Sequence, residues 1–176
     1  MGNLVNYVTA LHQSTTRSYI DRMIDEKVNC MLKAKEYEFD YWDGNRRYGY
    51  GGYKYIPGRW KSVAEKLIKQ YNLTNNSSVL DVGCGKAFLL YEMKLLLPNL
   101  KTSGFDISKH GLAESKKEIS KNLFVQGAQN PYPFKDKQFD LVFSNSVIEH
   151  LYNFENQVKM ANEVMRVGKL FFVQCP

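Results

Sequence analysis

The stretch of residues 78–87, which reads SVLDVGCGKA, constrains the fold more than any other part of the chain. Its apolar residues predict a short buried strand, and Gly83 and Gly85 then open a turn that leads into a helix at Phe88. Glycine adopts backbone conformations that side chains forbid, and it lets a ligand lie against free main-chain N–H groups. Because Asp81 stands near the end of the strand, the stretch predicts a polar ligand at the carboxyl edge of a sheet.

The chain from this point on alternates short apolar strands with helical stretches, which is typical of a parallel sheet with crossover helices. We predict an α/β fold with a doubly wound, mostly parallel sheet that ends after its fifth strand. The strands are expected at residues 78–82, 101–105, 123–126, 139–144 and 170–174. The helices that connect them are expected near residues 88–97, 108–120 and 154–164.

The residues before this sheet domain have a different composition. We predict an N-terminal helical extension with a glycine- and tyrosine-rich loop over residues 1–60, and the sheet domain over residues 61–176. Apolar residues recur at helical spacing in the extension, at Ile20, Met23, Ile24, Val28, Met31 and Leu32. Residues 41–60 are too rich in glycine and aromatic residues for a regular element and predict an ordered loop. Its glycine density has few packing explanations, so the loop as a whole favours a functional lid.

A second carboxylate follows the next predicted strand. Asp106 comes 25 positions after Asp81 (106 − 81), where nucleotide-binding sheets place an acid that accepts hydrogen bonds from ribose hydroxyls. A dinucleotide fingerprint would need a third glycine where Phe88 stands, and a Walker loop would need Gly-Lys-Ser/Thr. An acid just before the turn also repels a pyrophosphate and suits a cationic ligand. S-adenosylmethionine carries a sulfonium and an ammonium group.

Four motifs in order make the chain similar to the class I, Rossmann-like S-adenosylmethionine-dependent methyltransferases. The resemblance covers residues 71–174. It is carried by residues 79–85 (VLDVGCG), 104–108 (GFDIS), 133–134 (PF) and 139–151 (FDLVFSNSVIEHL). It implies that S-adenosyl-L-methionine is the cofactor, that Asp81, Gly83 and Gly85 hold its methionine end, and that Asp106 binds the ribose diol.

The chain departs from the family pattern at two places. Ala87 stands where the family usually has a third glycine, and Ala128, followed by Gln129, stands where many members have an acid that binds the adenine amino group. Adenine recognition would then use the Gln129 amide or the backbone. The cofactor-binding residues that we predict are Asp81, Gly83, Cys84, Gly85, Asp106, Ile107, Ala128, Gln129, Ser144, Tyr53 and Arg59.

The catalytic residues are expected just beyond the fourth strand. Methyl transfer needs alignment of the nucleophile and the methyl group, and a base if the acceptor is a hydroxyl. His150 titrates in the useful range and adjoins Glu149, so we predict these two as catalytic residues. The alternative is that His150 only packs beside Leu151. Tyr53 in the aromatic loop could cover the cofactor, and Arg59 could pair with a carboxylate such as that of the cofactor.

Composition narrows the function classes. The chain has 24 basic and 18 acidic residues, a formal charge of +6, without a run of five like charges, so a solvated surface is favoured over a nucleic-acid interface. Three widely spaced cysteines argue against a disulfide framework and a structural zinc site, and no metal is expected. The sequence has neither a secretory core nor an apolar run of membrane-spanning length, and the cytoplasm is the expected compartment.

The expected partner is a small-molecule methyl acceptor, with a hydroxyl of a sugar or another metabolite ranked before an amine. The first alternative is an RNA or DNA methyltransferase, but the Asn/Asp-Pro-Pro-aromatic motif of amino-methylating members is replaced by Ser144 and the residues after it. The second is a truncated, catalytically silent cofactor-binding module. Because the fifth strand would be an exposed edge, a homodimer through that edge is a further expectation.

Overall fold

The computed structural model describes Tyr7 and residues 26–175. They belong to two compact units, one that ends at Ile56 and one that begins at Pro57. The predicted boundary after residue 60 stays a prediction. The predicted apolar positions Ile20, Met23 and Ile24 lie outside the described residues.

The first unit contains two short helices, α1 (Lys27–Ala34) and α2 (Phe39–Trp42). Helix α1 confirms the predicted helical spacing, but Val28, Met31 and Leu32 are exposed in it, and its buried residue is Cys30. The apolar stripe therefore identified the helix without identifying its buried face.

Aromatic rings and close backbone approaches hold the loop after α2 together. The rings of Trp42 and Tyr50 stack at 5.3 Å with an angle of 2° between their planes. A side chain at Gly49 would place its Cβ 2.2 Å from the Tyr41 carbonyl oxygen, and one at Gly44 would place it 2.6 Å from Asp40 Cα. Packing therefore explains these two glycines, because they let the loop fold onto α2, while the lid role of the whole loop stays a prediction.

The second unit begins with helix α3 (Lys61–Gln70), which confirms the predicted helical stripe. Parallel strands and connecting helices then follow in the order predicted. They are β1 (Ser78–Val82), α4 (Phe88–Leu96), β2 (Lys101–Asp106), α5 (Lys109–Ala113), α6 (Lys117–Ser120), β3 (Leu123–Val125), β4 (Phe139–Asn145), α7 (Phe154–Val167) and β5 (Gly168–Gln174).

The expected helix over residues 108–120 is wrong, because the segment forms two short helices, α5 and α6. The Ser108 hydroxyl oxygen caps α5 by accepting from the Gly111 N–H at 2.9 Å, which agrees with the preference for serine at helix starts. Gly111 inside α5 weakens a continuous helix by about 1 kcal/mol relative to alanine. Residues 114–116 then separate the two helices.

The five strands lie in the order β3-β2-β1-β4-β5, and all neighbouring pairs are parallel. This confirms the predicted doubly wound α/β fold. Strand β1 lies in the centre, and the chain extends from it first towards β3 and later towards β5. In open parallel sheets such a reversal of strand order leaves a crevice at the carboxyl ends of the strands, where ligands bind.

Each face of the sheet is covered by different helices. Strands β1, β2 and β4 share a core with α7, and this core contains Leu80, Val82, Phe105, Val142, Met160 and Val164. On the opposite face α4 packs against β2, where a Cβ on Gly104 would lie 3.0 Å from Leu90 Cδ1. Within residues 26–175, no helix has the length and apolarity that crossing a membrane requires.

Candidate functional site

Asp81 lies in β1 with its carboxylate buried and unpaired. Its residue surface is only 5% exposed, and among the described residues no donor forms a hydrogen bond with it. Burial raises the pKa of Asp81 well above its ordinary value, and the nearby Asp106 carboxylate raises it further. A buried carboxylate without a partner favours a ligand that brings positive charge or hydrogen-bond donors.

Gly83 permits the turn that follows β1. Its φ is +74°, and a Cβ at this position would lie 2.2 Å from Val147 Cγ2. Gly85 has a φ of +54°. Both glycines are therefore needed by the backbone, and Gly83 also leaves room for the segment after β4.

The N–H groups of this turn do not face a ligand as the sequence led us to expect. Gly83 and Cys84 both donate to the carbonyl of Phe105, at 2.9 and 3.0 Å. The Gly85 N–H donates to the Asp106 carboxylate at 2.8 Å. The expectation of free N–H groups is wrong at these three residues, because their N–H groups connect the turn to the end of β2.

Asp106 is held rigidly at the end of β2. One carboxylate oxygen accepts from Gly85, and the other accepts from the Ser108 N–H at 2.8 Å. The residue is buried. The two bonds fix the carboxylate at the carboxyl edge of the sheet, where ligands bind in this kind of fold.

Two residues of the turn behave differently from expectation. Ala87, at the position of the missing third glycine, adopts a left-handed conformation with a φ of +56°, which costs about 1–2 kcal/mol for a residue with a side chain. A lysine in a glycine turn beside a cationic cofactor would be expected to point into solvent, but Lys86 is 2% exposed. That expectation is wrong, because the turn folds its side chain inward.

Cys84 packs beneath the turn, where its small side chain fills the space. Its sulfur would lie 3.1 Å from a Cβ placed on Gly104. Burial raises the pKa of the Cys84 thiol well above its ordinary value, and the charges of Asp81 and Asp106 raise it further. The thiol stays protonated at neutral pH and is not a nucleophile there.

The remaining predicted cofactor residues of the second unit have varied surroundings. Ile107 is 56% exposed, directly after Asp106. Ala128 is buried, and its carbonyl accepts from the Tyr132 hydroxyl at 2.9 Å. Ser144 is fully buried and donates to the Val82 carbonyl at 2.9 Å. The Ser144 hydroxyl thus connects β4 to β1, and its role toward the cofactor stays a prediction.

The loop that carries Ala128 and Gln129 is anchored by Arg166 of α7. The guanidinium donates to the carbonyls of Tyr132 at 3.0 Å and Phe134 at 2.8 Å. It also donates to Glu163 at 2.7 Å, and this bond lowers the pKa of that carboxyl. One guanidinium group thus bonds both the loop and α7, and these several charge-assisted hydrogen bonds hold the loop in one position.

Tyr53 and Arg59 fall in different units. The Tyr53 ring lies 4.6 Å from that of Tyr50, and its N–H donates to Asp43 at 3.2 Å, all within the first unit. Arg59 lies in the turn before α3. Their roles toward the cofactor stay predictions.

The two predicted catalytic residues share a short 3₁₀ helix, Ile148–His150, just beyond β4. His150 is exposed, while Glu149 is partly buried and has one carboxylate oxygen without a partner. Loss of solvation raises the pKa of the otherwise exposed Cys175 thiol, and the nearby Glu149 carboxylate raises it further. Both predicted residues stand at the carboxyl edge of the sheet.

Two residues that sequence reasoning did not select also lie at this edge. Asn145 ends β4 and Gln174 ends β5, and each has a buried side-chain oxygen without a partner. The strand pattern placed them at strand ends, but only the structure shows that their amide groups are unpaired.

Comparison with known proteins identifies the family. The methyltransferase domain family matches residues 73–175. The chain belongs to this family. Membership confirms the resemblance seen in the sequence and the predicted cofactor, S-adenosyl-L-methionine.

Curated relatives of this methyltransferase domain act in different pathways. Malonyl-[acyl-carrier protein] O-methyltransferase of Legionella pneumophila is 32% identical over 64% of this chain and 42% of its own length. Demethylmenaquinone methyltransferase of Chlorobaculum tepidum is 27% identical over 93% of this chain and 62% of its own. Ubiquinone biosynthesis O-methyltransferase of Rickettsia bellii is 26% identical over 79% and 57%. The chain thus spans about half the length of these relatives.

Solved structures share the fold. An S-adenosylmethionine-dependent methyltransferase from Clostridium acetobutylicum has a TM-score of 0.51 at 22% identity, over 64% of this chain and 48% of its own. The [4+2]-cyclase SpnF has a TM-score of 0.52 at 17% identity, over 62% and 41%. Because a cyclase has this fold too, the fold alone does not determine the reaction.

Proposed function

We propose that the protein transfers the methyl group of S-adenosyl-L-methionine to a hydroxyl oxygen of a small molecule. The observation that carries the cofactor part is the buried Asp81 carboxylate, which has no donor among the described residues. The names of two relatives, the malonyl-[acyl-carrier protein] and ubiquinone biosynthesis O-methyltransferases, support oxygen as the acceptor atom.

When bound, the cofactor supplies a methyl group already activated by its sulfonium. Asp81 would hold the cationic methionine end, because a buried negative charge gains most from a cation in a medium of low dielectric constant. Asp106, held at the end of β2 by the N–H groups of Gly85 and Ser108, would accept hydrogen bonds from the ribose hydroxyls. Gly83 keeps the turn free of a side chain, so that the ligand can approach its backbone.

Isothermal titration with S-adenosylhomocysteine tests the cofactor part. The wild-type protein is expected to bind, and Asp81→Asn is expected to lose at least about tenfold in affinity, the value of a charge-assisted contact. Asp140→Asn is the matched control, because Asp140 is also a strand carboxylate but pairs with Lys169 at 2.7 Å. Absence of binding by folded wild-type protein would refute the proposal.

A base is needed when the acceptor is a hydroxyl. His150 is the proposed base, since it is exposed just beyond β4 and histidine is the side chain most often used as a general base. With radiolabelled cofactor and a panel of hydroxylated metabolites, His150→Ala should lose about 10²–10⁴ in rate while S-adenosylhomocysteine affinity is kept. His110→Ala serves as the control histidine, in α5. Equal methyl-transfer rates in the two variants would contradict a catalytic role for His150 and would indicate that it only packs.

Compartment and assembly are proposed on separate grounds. All three cysteines, Cys30, Cys84 and Cys175, are free thiols, which supports the cytoplasm as the compartment of the protein.

Strand β5 exposes Leu170, Phe171 and Val173, and these side chains support a homodimer through the sheet edge. Size-exclusion chromatography at two concentrations, with Phe171→Lys as the disrupting variant, tests this pairing.

A further inference from the structure

Three buried side-chain oxygens at the ends of β4 and β5 and just beyond β4 have no hydrogen-bond partner within the described part of the chain. They are Asn145 Oδ1, Glu149 Oε2 and Gln174 Oε1. Asn145 and Gln174 are direct neighbours in the β4–β5 register, and Glu149 is near enough to Cys175, the residue after Gln174, to raise the pKa of its thiol. Each unpaired buried polar atom destabilises the free protein, so three of them at one place need a cause.

Disorder at the strand ends does not explain these oxygens. The backbone stays paired here, since the Ser146 N–H donates to the Gln174 carbonyl at 3.0 Å. Ser146 adopts a left-handed conformation with a φ of +59°, which is unfavourable for a residue with a side chain. Backbone strain beside unpaired polar groups is typical of a functional site.

The cluster lies close to the cofactor turn. Val147, between Asn145 and Glu149 in the chain, packs so closely on Gly83 that a Cβ there would lie 2.2 Å from its Cγ2. A molecule that contacts the three oxygens is therefore beside the turn after β1, where the methyl donor is proposed to bind.

We infer that Asn145, Glu149 and Gln174 recognise a methyl acceptor that carries at least two hydrogen-bond donors, such as neighbouring hydroxyls. Carboxylate and amide oxygens accept hydrogen bonds, so an ether or a ketone, which has no donor, would leave these three oxygens without a partner. All three residues are partly exposed, and rotation of a terminal amide torsion brings a covered oxygen outward at little cost. This inference rests on the proposed function and specifies its substrate class.

The test uses matched pairs of small molecules on the protein saturated with S-adenosylhomocysteine. The pairs are catechol with 1,2-dimethoxybenzene, and cis-1,2-cyclohexanediol with its dimethyl ether. The diol of at least one pair is expected to raise the melting temperature by about 2 °C, and its ether is expected to have no effect. The double variant Asn145→Leu, Gln174→Met should weaken diol binding at least about tenfold.

The variant also has a readout that needs no ligand. If the amide oxygens are unpaired, their replacement by apolar groups should raise the melting temperature of the free protein by about 2 °C or more. Thr102→Val is the control, because Thr102 Oγ1 is also buried and unpaired but lies in β2, at its opposite end. It should raise the melting temperature and leave the diol response unchanged.

The outcomes separate the two proposals. Failure of the wild-type protein to bind S-adenosylhomocysteine refutes the proposed function. If it binds, then equal responses to diol and ether, no response to any diol, or an unchanged diol response in the double variant overturns the donor-recognition inference alone. A fall in the melting temperature of the double variant also overturns it, because the oxygens would then have partners.

Discussion

The carboxylate of Asp106 accepts a hydrogen bond from the backbone N–H of Gly85 at 2.8 Å, which connects the turn after β1 to the end of β2. The same carboxylate accepts from the Ser108 N–H at 2.8 Å. A single side chain therefore fixes the positions of two loops at the carboxyl edge of the sheet. The acid that is proposed to bind ribose hydroxyls also shapes the turn that contacts the rest of the cofactor.

Replacing Asp106 should cost stability as well as affinity. Asp106→Ala removes two hydrogen bonds to a charged acceptor, and we expect a loss of about 3 kcal/mol in the free energy of unfolding. Urea denaturation measures this loss, and amide hydrogen exchange should show faster exchange at Gly85. Asp136→Ala is the control, because the exposed Asp136 pairs with Arg166 at the surface and should cost less than about 1 kcal/mol. Equal losses in the two variants would contradict a structural role for Asp106.

Asp81 should give the stability an unusual pH dependence. Its folded-state pKa is raised above the ordinary value of 3.8 by burial and by Asp106, so the folded protein binds this proton more tightly than the unfolded chain. Stability from this group is therefore present below pH 3.8 and is lost as the pH rises through the folded pKa. Asp81→Asn should stabilise the free protein at neutral pH by about 1–3 kcal/mol, and the gain should disappear on acidification.

Asp140 is the control, because its contribution to stability should change with pH in the direction opposite to that of Asp81. The bond from Lys169 lowers the pKa of Asp140 below its ordinary value, so its contribution is present at neutral pH and is lost as the pH falls through the folded pKa. Asp140→Asn should therefore destabilise at neutral pH. Urea denaturation of both variants between pH 4 and pH 8 measures the difference, and parallel behaviour of the two variants would contradict the unpaired state of Asp81.

The sequence was sufficient for the elements whose signal is local. Strand β1 and the two carboxylates were predictable, because a buried parallel strand is a short apolar run and its carboxyl end is marked by glycines. The parallel pairing of the strands agreed as well, since strands that alternate with helices along the chain pair in parallel through crossover connections. The family resemblance came from the same residues.

What the sequence did not predict depends on contacts between distant residues. Tertiary packing decides that Lys86 points inward and that the Gly85 N–H donates to Asp106. A local sequence pattern contains no information about such packing. The same holds for Gly44 and Gly49, whose close approach to α2 only the folded loop reveals. The unpaired amide of Asn145 is invisible for the same reason, because partners are a property of the fold.

Ala87 should tolerate replacement by glycine far better than a helical alanine does. Ala87→Gly loses a buried methyl group, worth about 0.8 kcal/mol, but relieves a left-handed φ of +56°, worth about 1–2 kcal/mol. Stability should therefore change by less than about 1 kcal/mol. Ala64→Gly, equally buried inside α3, should lose about 2 kcal/mol, because helix propensity adds to the lost methyl. A larger loss at Ala87 than at Ala64 in urea denaturation would contradict strain at this position.

Gly83 and Gly58 have nearly the same backbone conformation, with φ of +74° and +77°, but different surroundings. A Cβ on Gly58 would meet no atom within 4 Å, whereas one on Gly83 would lie 2.2 Å from Val147 Cγ2. Gly58→Ala should therefore cost only the left-handed conformation, about 1 kcal/mol. Gly83→Ala should cost about 2–4 kcal/mol, because the clash adds to the strain.

Adding Val147→Ala to Gly83→Ala separates the two costs. The smaller side chain removes the clash without changing the backbone, so the double variant should recover most of the difference between the two single glycine variants in urea denaturation. The strain of about 1 kcal/mol should remain, because it belongs to the left-handed conformation of residue 83 itself. If Val147→Ala gave no recovery, the glycine at position 83 would be required by backbone conformation alone and not by the segment that follows β4.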